Sequence, residues 1–396
     1  MDTDRRKESV VAAAYCGSYD EEEVYNAVKA CTDALGGIAA FVRRDEKILV
    51  KPNFLTASDP ELAIVTHPSV TGAVLRLLHE EGCTNVVCGD SPGHGSPESA
   101  AEKAGLPELF KRYGARQADM STEVSVDYPG GAAADRFYLT KDAAEADAII
   151  GVCKMKTHAL ERITGAVKNM YGLVCGYRKA AGHVRFPNAV IFARMLADIH
   201  NLRKPRLHIM DGIVAMEGNG PGSGDPVQMN IILASADPVA LDTVFCQLIN
   251  MDPELIPTNV QGELLGVGCS HLDKIRIIET EPAAVKNRGE REISADELFK
   301  KYGKADFDAD RTGTKKTFLS RFSDAMTAIA KRPFISAELC VKCGICVEHC
   351  PVPGKAVSFK NGKTEPPVYD YSKCIRCYCC QEMCPQNAIK VKGHGR

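Results

Sequence analysis

The 396-residue sequence predicts an α/β protein: an open, mostly parallel, doubly wound sheet, followed by a small C-terminal α+β unit. Three observations predict it. Short Val- and Ile-rich runs alternate with helical patterns through residues 1–280. Several of those runs are apolar on both faces, as parallel strands covered by helices require. The 17 cysteines are also unevenly spread, eight in the first 330 residues and nine in the last 66. The length calls for two or three domains.

In chain order, the expected strands are Val10–Cys16, Lys47–Pro52, Asn85–Asp90, Ala148–Met155, Arg206–Ile213, Asn230–Ala236 and Lys274–Glu279. The expected helices between them are Glu21–Leu35, Pro68–Glu81, Ser96–Tyr113, Asn188–Leu202 and Pro238–Asn250. Pro97 and Pro238 suit first helical turns, with Ser96 and Asp237 as N-caps. Residues 281–316 are polar, carry Gly289, Gly303 and Gly313, and read as a connection holding one short helix near Ala295–Tyr302. Thr317–Ala330 adds an amphipathic helix that Lys331–Arg332–Pro333 stops. The expected division is therefore an α/β domain over 1–280, a connecting region with helices over 281–330, and a C-terminal domain over 331–396.

Composition narrows the partners. Hydrophobic residues at 45% and charged residues at 25% exclude wholesale disorder. A net charge of −2 offers no footprint for nucleic acid. No apolar run reaches the ~18 residues of a membrane span. The opening MDTDRRKES is no signal peptide, and Arg5–Arg6 lacks the apolar stretch an export signal needs, so a cytoplasmic location is expected. Dense cysteine there means metal or redox chemistry rather than disulfides.

Cys340, Cys343, Cys346 and Cys350-Pro351 are followed, each 34 residues later, by Cys374, Cys377, Cys380 and Cys384-Pro385. Three thiolates two residues apart let one loop wrap three corners of an iron–sulfur cube, and the cysteine before proline reaches the other cube. The expected cofactors are two [4Fe–4S] clusters: cluster 1 on Cys340, Cys343, Cys346 and Cys384, cluster 2 on Cys350, Cys374, Cys377 and Cys380. Zinc ribbons are the competing reading. The run resembles the bacterial-type two-[4Fe–4S] ferredoxins over about 60 residues. It departs from them after Cys350-Pro351, where two extra residues precede Ala356, compared with the path from Cys384-Pro385 to Ala388. Cys379 lies outside the pattern and reads as a bystander or a misregistered ligand. Charge supports the clusters: residues 331–396 hold 11 Lys and Arg against 5 Asp and Glu, a positive excess that two clusters of roughly −2 each would largely offset.

In the larger domain, polar groups fall where strands end, the edge at which open α/β sheets bind ligands. Lys51 and Asn53, Asp90, then Lys154, Lys156 and His158, and Asp211 close four strands, with Lys168, Asn169 and His183 alongside. The Gly89–Gly95 run leading into a helix is able to hold an anion. Four converging ammonium groups repel one another unless an anion compensates, which points to a small anionic ligand, carboxylate or phosphate. The Glu217–Gly224 loop lacks the GxGxxG register of a dinucleotide site. KPN (51–53), GDSPG (89–93), KMKTH (154–158), TGAVKNMYG (164–172), His183, DGIVAMEGNGPGSG (211–224) and ADPVALD (236–242) resemble the domain-of-unknown-function-362 family. That resemblance supplies no reaction and implies a redox association.

The leading expectation is an iron–sulfur oxidoreductase passing electrons from the clusters to a small anionic substrate. Lys51, Lys154, Lys156 and Lys168 would bind the anion, His158 or His183 would deliver a proton, and Asp90 or Asp211 would orient it. The alternative is an electron carrier or adaptor docking a partner oxidoreductase through a basic patch. A non-redox ligase or transferase with structural clusters ranks third. An electron donor or acceptor protein is the expected partner.

Overall fold

A computed structural model of the chain describes residues 8–280, 289–312 and 331–392; the expected helix Thr317–Ala330 lies outside them. The strands in chain order are β1 (Ser9–Tyr15), β2 (Ile48–Lys51), β3 (Val86–Cys88), β4 (Arg116–Gln117), β5 (Glu123–Asp127), β6 (Arg136–Thr140), β7 (Ala148–His158), β8 (Arg162–Thr164), β9 (Leu207–Glu217), β10 (Asp225–Ser235), β11 (Ile275–Thr280) and β12 (Glu290–Ile293). One large sheet runs β12-β11-β1-β10-β9-β7-β2-β3-β4, with β8 folded back on β7 and β5–β6 a separate hairpin. β1 is parallel to β11, and β9, β7, β2, β3 and β4 are parallel in turn. β10 is antiparallel to both its neighbours because the short loop after β9 turns the chain straight back.

The sheet is covered on both faces, as expected. Alternation sends Ala12 and Ala14 into one core with the helices Glu21–Ala34 and Pro68–Glu81, and Val11 and Ala13 into another with Pro238–Leu248. All seven predicted strands lie in this sheet. The helix predicted over Ser96–Tyr113 is two helices, Pro97–Lys103 and Leu106–Tyr113, because Gly105 between them takes φ 71°. The region expected only to connect does more. β12 pairs antiparallel with β11, and Leu298 and Tyr302 of the helix Ala295–Tyr302 join the core around Val244 and Phe245.

The C-terminal unit pairs β13 (Arg332–Ile335) with β16 (Ile389–Lys392) and β14 (Val357–Ser358) with β15 (Val368–Tyr369), all antiparallel. The duplication read in the cysteines is present in the backbone. One-turn helices Ile345–Glu348 and Cys379–Glu382 are 34 residues apart, and the loops before them repeat positive φ at Lys342 and Arg376 (59° and 58°). The extra two residues of the first half are absorbed in a loop: Ala356 N–H donates to Cys350 Sγ at 3.2 Å and Ala388 N–H to Cys384 Sγ at 3.3 Å.

The glycine-rich loop between β9 and β10 fastens this unit to the sheet. Gln381 Nε2 donates to the carbonyls of Asn219 and Gly220 at 2.8 and 3.1 Å. Asn219 Nδ2 donates to Asn387 Oδ1 and Ile389 O, and Ser223 Oγ to Cys384 O. A Cβ on Gly222 would stand 2.7 Å from Glu382 O, so any side chain there would wedge the two units apart.

Candidate functional site

β7, buried along all eleven residues, carries the motif KMKTH to the C-terminal edge of the sheet. There β2 ends at Lys51 and the chain after β3 supplies Asp90. Lys51 Nζ lies 2.9 Å from Asp90 Oδ1 and donates to Asn169 Oδ1 and Pro52 O, each at 2.7 Å. Asp90 also accepts from Phe54 N–H at 2.6 Å. The Lys168–Asn169 segment is set by Asp242, whose carboxylate accepts from the N–H groups of Ala166 and Val167 at 2.6 and 3.0 Å. Gly172 lets this segment close: a Cβ there would stand 1.9 Å from Asp90 Oδ1.

Lys51, Phe54, Asp90, Lys168, Asn169 and Gly172 line a cavity at this edge. Of the residues expected from sequence, Lys51, Asn53, Asp90, Lys156, Lys168, Asn169 and His183 line it. Its far wall comes from the C-terminal unit: His349, Cys379, Glu382 and Met383. His158 stands behind that wall with Nε2 3.0 Å from Glu382 Oε1. Its Nδ1 accepts the N–H groups of Leu160 and Glu161, which leaves the ring proton on Nε2 facing the carboxylate.

Two expected members are elsewhere, which corrects the convergence read from strand ends. Lys154 does not line the cavity; it lies 2.7 Å from Asp211 Oδ2 and donates to Tyr19 OH at 2.8 Å. Tyr19 OH donates to Asp211 Oδ1, and His67 N–H completes the carboxylate's partners. Tyr19 and His67 close around Lys154 and Asp211, while Lys156, two residues on along β7, reaches the cavity. The anion site expected at the helix after Gly95 is also closed: Ser96 and Ser99 cap that seven-residue helix reciprocally.

Burial dominates the electrostatics. It holds Lys51 below its ordinary value against the pull of Asp90, and Lys156 well below, with Lys168 adding repulsion. Lys179, whose ammonium donates to Ser91 O, is pushed down to about 8, again chiefly by burial. His158 and His183 are both lowered to about 4, so both rings are neutral at neutral pH. Burial works to raise Glu382, but His158 and Lys168 outweigh it and hold the carboxylate below its usual range. His183 stacks on Phe192, centroids 4.7 Å apart, and its Nδ1 has no hydrogen-bond partner among the described residues.

Sequence reasoning missed Lys179, Cys379 as a lining residue, and Glu382. Lys179 and His183 are four residues apart on the helix Gly176–Arg185, a spacing that could have signalled one shared face. Glu382 had no signal, since it sits inside the cysteine motif of the other unit.

Within the C-terminal unit the structure gathers each expected set of four thiols around its own cavity. One is lined by Cys340, Cys343, Cys346 and Cys384, the other by Cys350, Cys374, Cys377 and Cys380. Their remaining walls are largely apolar, including Ile335, Ile345 and Ile389 in the first and Val352, Val357 and Tyr369 in the second. Four thiols converging on each space suit a cuboidal cluster held by four thiolates. Lys363 and Lys355 donate to the carbonyls of Cys343 and Cys350 at 3.0 and 2.7 Å, which brings positive charge toward both.

Comparison with known proteins follows this division. Residues 48–247 match the domain of unknown function DUF362, and residues 328–388 match a 4Fe-4S dicluster domain. A thylakoid-associated protein of Synechocystis sp. is 35% identical over 257 residues, covering 63% of this chain and 77% of the relative. Among solved structures, the lactate racemase apoprotein of Thermoanaerobacterium thermosaccharolyticum aligns with TM-score 0.40 at 14% identity, over 60% of this chain and 56% of that one. A Thermotoga maritima protein aligns with TM-score 0.35 at 15% identity, over 63% and 59%. The chain thus spans less than two thirds of either solved protein. No helix among the described residues is long and apolar enough to cross a membrane.

Proposed function

The chain belongs to the DUF362 family and carries a 4Fe-4S ferredoxin-type domain, and we propose that it is an iron–sulfur oxidoreductase acting on a small anionic substrate in the cavity between the two units. One observation carries the reading. The lysines of the sheet edge face His349, Cys379, Glu382 and Met383, which are chain neighbours of Cys350, Cys380 and Cys384. A ligand on the lysines would therefore sit against the cysteine-rich unit.

On this reading the two four-cysteine sets hold two [4Fe–4S] clusters, which supply electrons one at a time. Lys156, Lys168 and Lys179 bind the substrate's anionic group and stabilise negative charge that develops on it. Lys51 is held in place by Asp90 and Asn169. His183, neutral in the free protein, relays a proton from water to the substrate, because both ring nitrogens of His158 are already engaged, and water supplies the second proton. Reduction of a double bond conjugated to a carboxylate fits these parts, since two electrons and two protons convert it to the saturated acid. A reducing, cytoplasmic setting and a protein electron donor belong to the same proposal. An adaptor that docked a partner through its lysines would carry them on a convex face, whereas Lys51 and Lys156 are 0% and 1% exposed.

The test uses the anaerobically reduced holoprotein mixed with a panel of unsaturated carboxylates, followed by the visible absorption of the clusters. Rapid reoxidation by some acids, lost in Lys168→Met and Lys156→Met, is the expected result. Reoxidation rates that ignore both the acid and the substitutions would sink the reading.

A further inference from the structure

We infer that the cavity takes a doubly anionic small molecule that also bears a hydroxyl or amide N–H, a hydroxydicarboxylate and a polyol phosphate being two forms of that chemistry. This rests on the reading of the cavity as a ligand site, and it adds charge and hydrogen-bond character that anion binding alone does not require.

The charge follows from which lysines are already paired. Lys51 is matched by Asp90 at 2.9 Å. Among the described residues, Lys156 donates only to Ile64 O, Lys179 only to Ser91 O, and Lys168 makes no hydrogen bond; none of the three has a described carboxylate within ion-pair distance. The other carboxylate lining the cavity is Glu382, set against His158. Once a bound anion restores the charge that burial takes from Lys156 and Lys179, three ammonium groups face one carboxylate, which leaves two positive charges for the ligand to answer. A monoanion would leave one of them uncompensated in a site walled by protein, where an unmatched charge is costly.

The donor follows from Asn53. Its Nδ2 donates to Asn169 Oδ1 at 3.3 Å, and that oxygen is fixed as an acceptor because Lys51 also donates to it. Asn53 Oδ1 is left without a partner among the described residues, in a side chain that lines the cavity. A carbonyl oxygen only accepts, so its complement is an O–H or N–H on the ligand. Thr164 Oγ1, buried and lining the same cavity, is also unpartnered and can serve either way.

Isothermal titration of the oxidised holoprotein tests this without electron transfer. The probes are malate and glycerol 3-phosphate as dianions with hydroxyls, succinate as a dianion without one, and 3-hydroxybutyrate as a monoanion with one. At least one of the first two should bind about tenfold tighter than succinate, the usual worth of one good hydrogen bond, and tighter still than 3-hydroxybutyrate. Lys168→Gln should erase the advantage of dianion over monoanion, and Asn53→Ala the advantage of malate over succinate. Lys168 is half-buried and makes no hydrogen bond or ion pair among the described residues, so its variant stays folded and its result is readable. Equal binding of all probes, binding of none, or preferences that survive both substitutions overturns the inference. Selective binding without reoxidation would remove the reductase reading alone, while reoxidation by monoanions lacking a donor would remove this inference alone.

Discussion

Two lysine–aspartate pairs, Lys51–Asp90 and Lys154–Asp211, start from adjacent strands, with nitrogen–oxygen distances of 2.9 and 2.7 Å and both lysines fully buried. Their surroundings separate them. Around Lys154–Asp211 the polar atoms answer one another: Tyr19 OH bridges the two, and His67 N–H and Ile213 N–H close the carboxylate. Around Lys51–Asp90 the neighbours are left open, with Asn53 Oδ1, Lys156 and Lys168 turned toward a cavity. A buried ion pair is thus no marker of a site by itself. The unanswered groups beside it are.

The largest expected effect breaks the closed pair. Lys154→Met leaves Asp211 buried and unpaired, at a cost of about 3–5 kcal/mol read from denaturant unfolding. Replacing both partners, Lys154→Met with Asp211→Leu, should recover most of it. If the single variant kept its stability and lost ligand binding, the assignment of the two pairs would be reversed. Next in size is Gly172→Ala, where the new methyl presses on Asp90 and the Lys51 side chain. A loss of about 1–3 kcal/mol is expected, together with weakened anion binding.

A pH titration sharpens the contrast. Burial depresses Lys179 to about 8, with repulsion from Lys51 and Lys168 adding to it and attraction from Asp90 opposing it. The free protein therefore sheds that proton as pH rises through about 8, whereas a bound anion favours the charged form. Anion affinity should fall above pH 8, by up to about tenfold per pH unit for one such group. Lys179→Met should flatten the slope. Tyr19→Phe removes one bridging hydroxyl from the closed pair and should cost about 1 kcal/mol. Lys168→Met, which breaks no internal bond, should leave stability within about 0.5 kcal/mol while abolishing stabilisation by bound anions.

The fold was legible because its signal is local. Seven Val- and Ile-rich runs form seven strands of the sheet, and Ser96 and Asp237 cap the helices they were expected to cap. The strands missed are the two-residue β4, the three-residue β8, the polar hairpin β5–β6, the exposed β12 and the two- to four-residue β13 to β16 of the C-terminal unit, all too short or too exposed to carry a period. Seven of the ten residues proposed for the α/β site line one cavity because strand C-terminal ends share an edge. Lys154 and Asp211 departed because Tyr19 and His67, which close around the pair, come from elsewhere in the chain and leave no mark on either strand's sequence. Glu382 was invisible for a similar reason. Its role depends on a docking surface that joins Asn219 and Ser223 to Gln381 and Cys384, about 160 residues further along the chain.

That docking has a consequence for how such proteins can be rebuilt. Because Glu382 and Cys379 are part of the cavity wall, exchanging the electron-transfer module for a foreign one would redraw the pocket as well as the wiring. Recombination at the junction near residue 331 would yield hybrids whose selectivity is inherited from neither parent. Any viable graft must carry the glycine loop and the Gln381–Glu382 segment as a matched set.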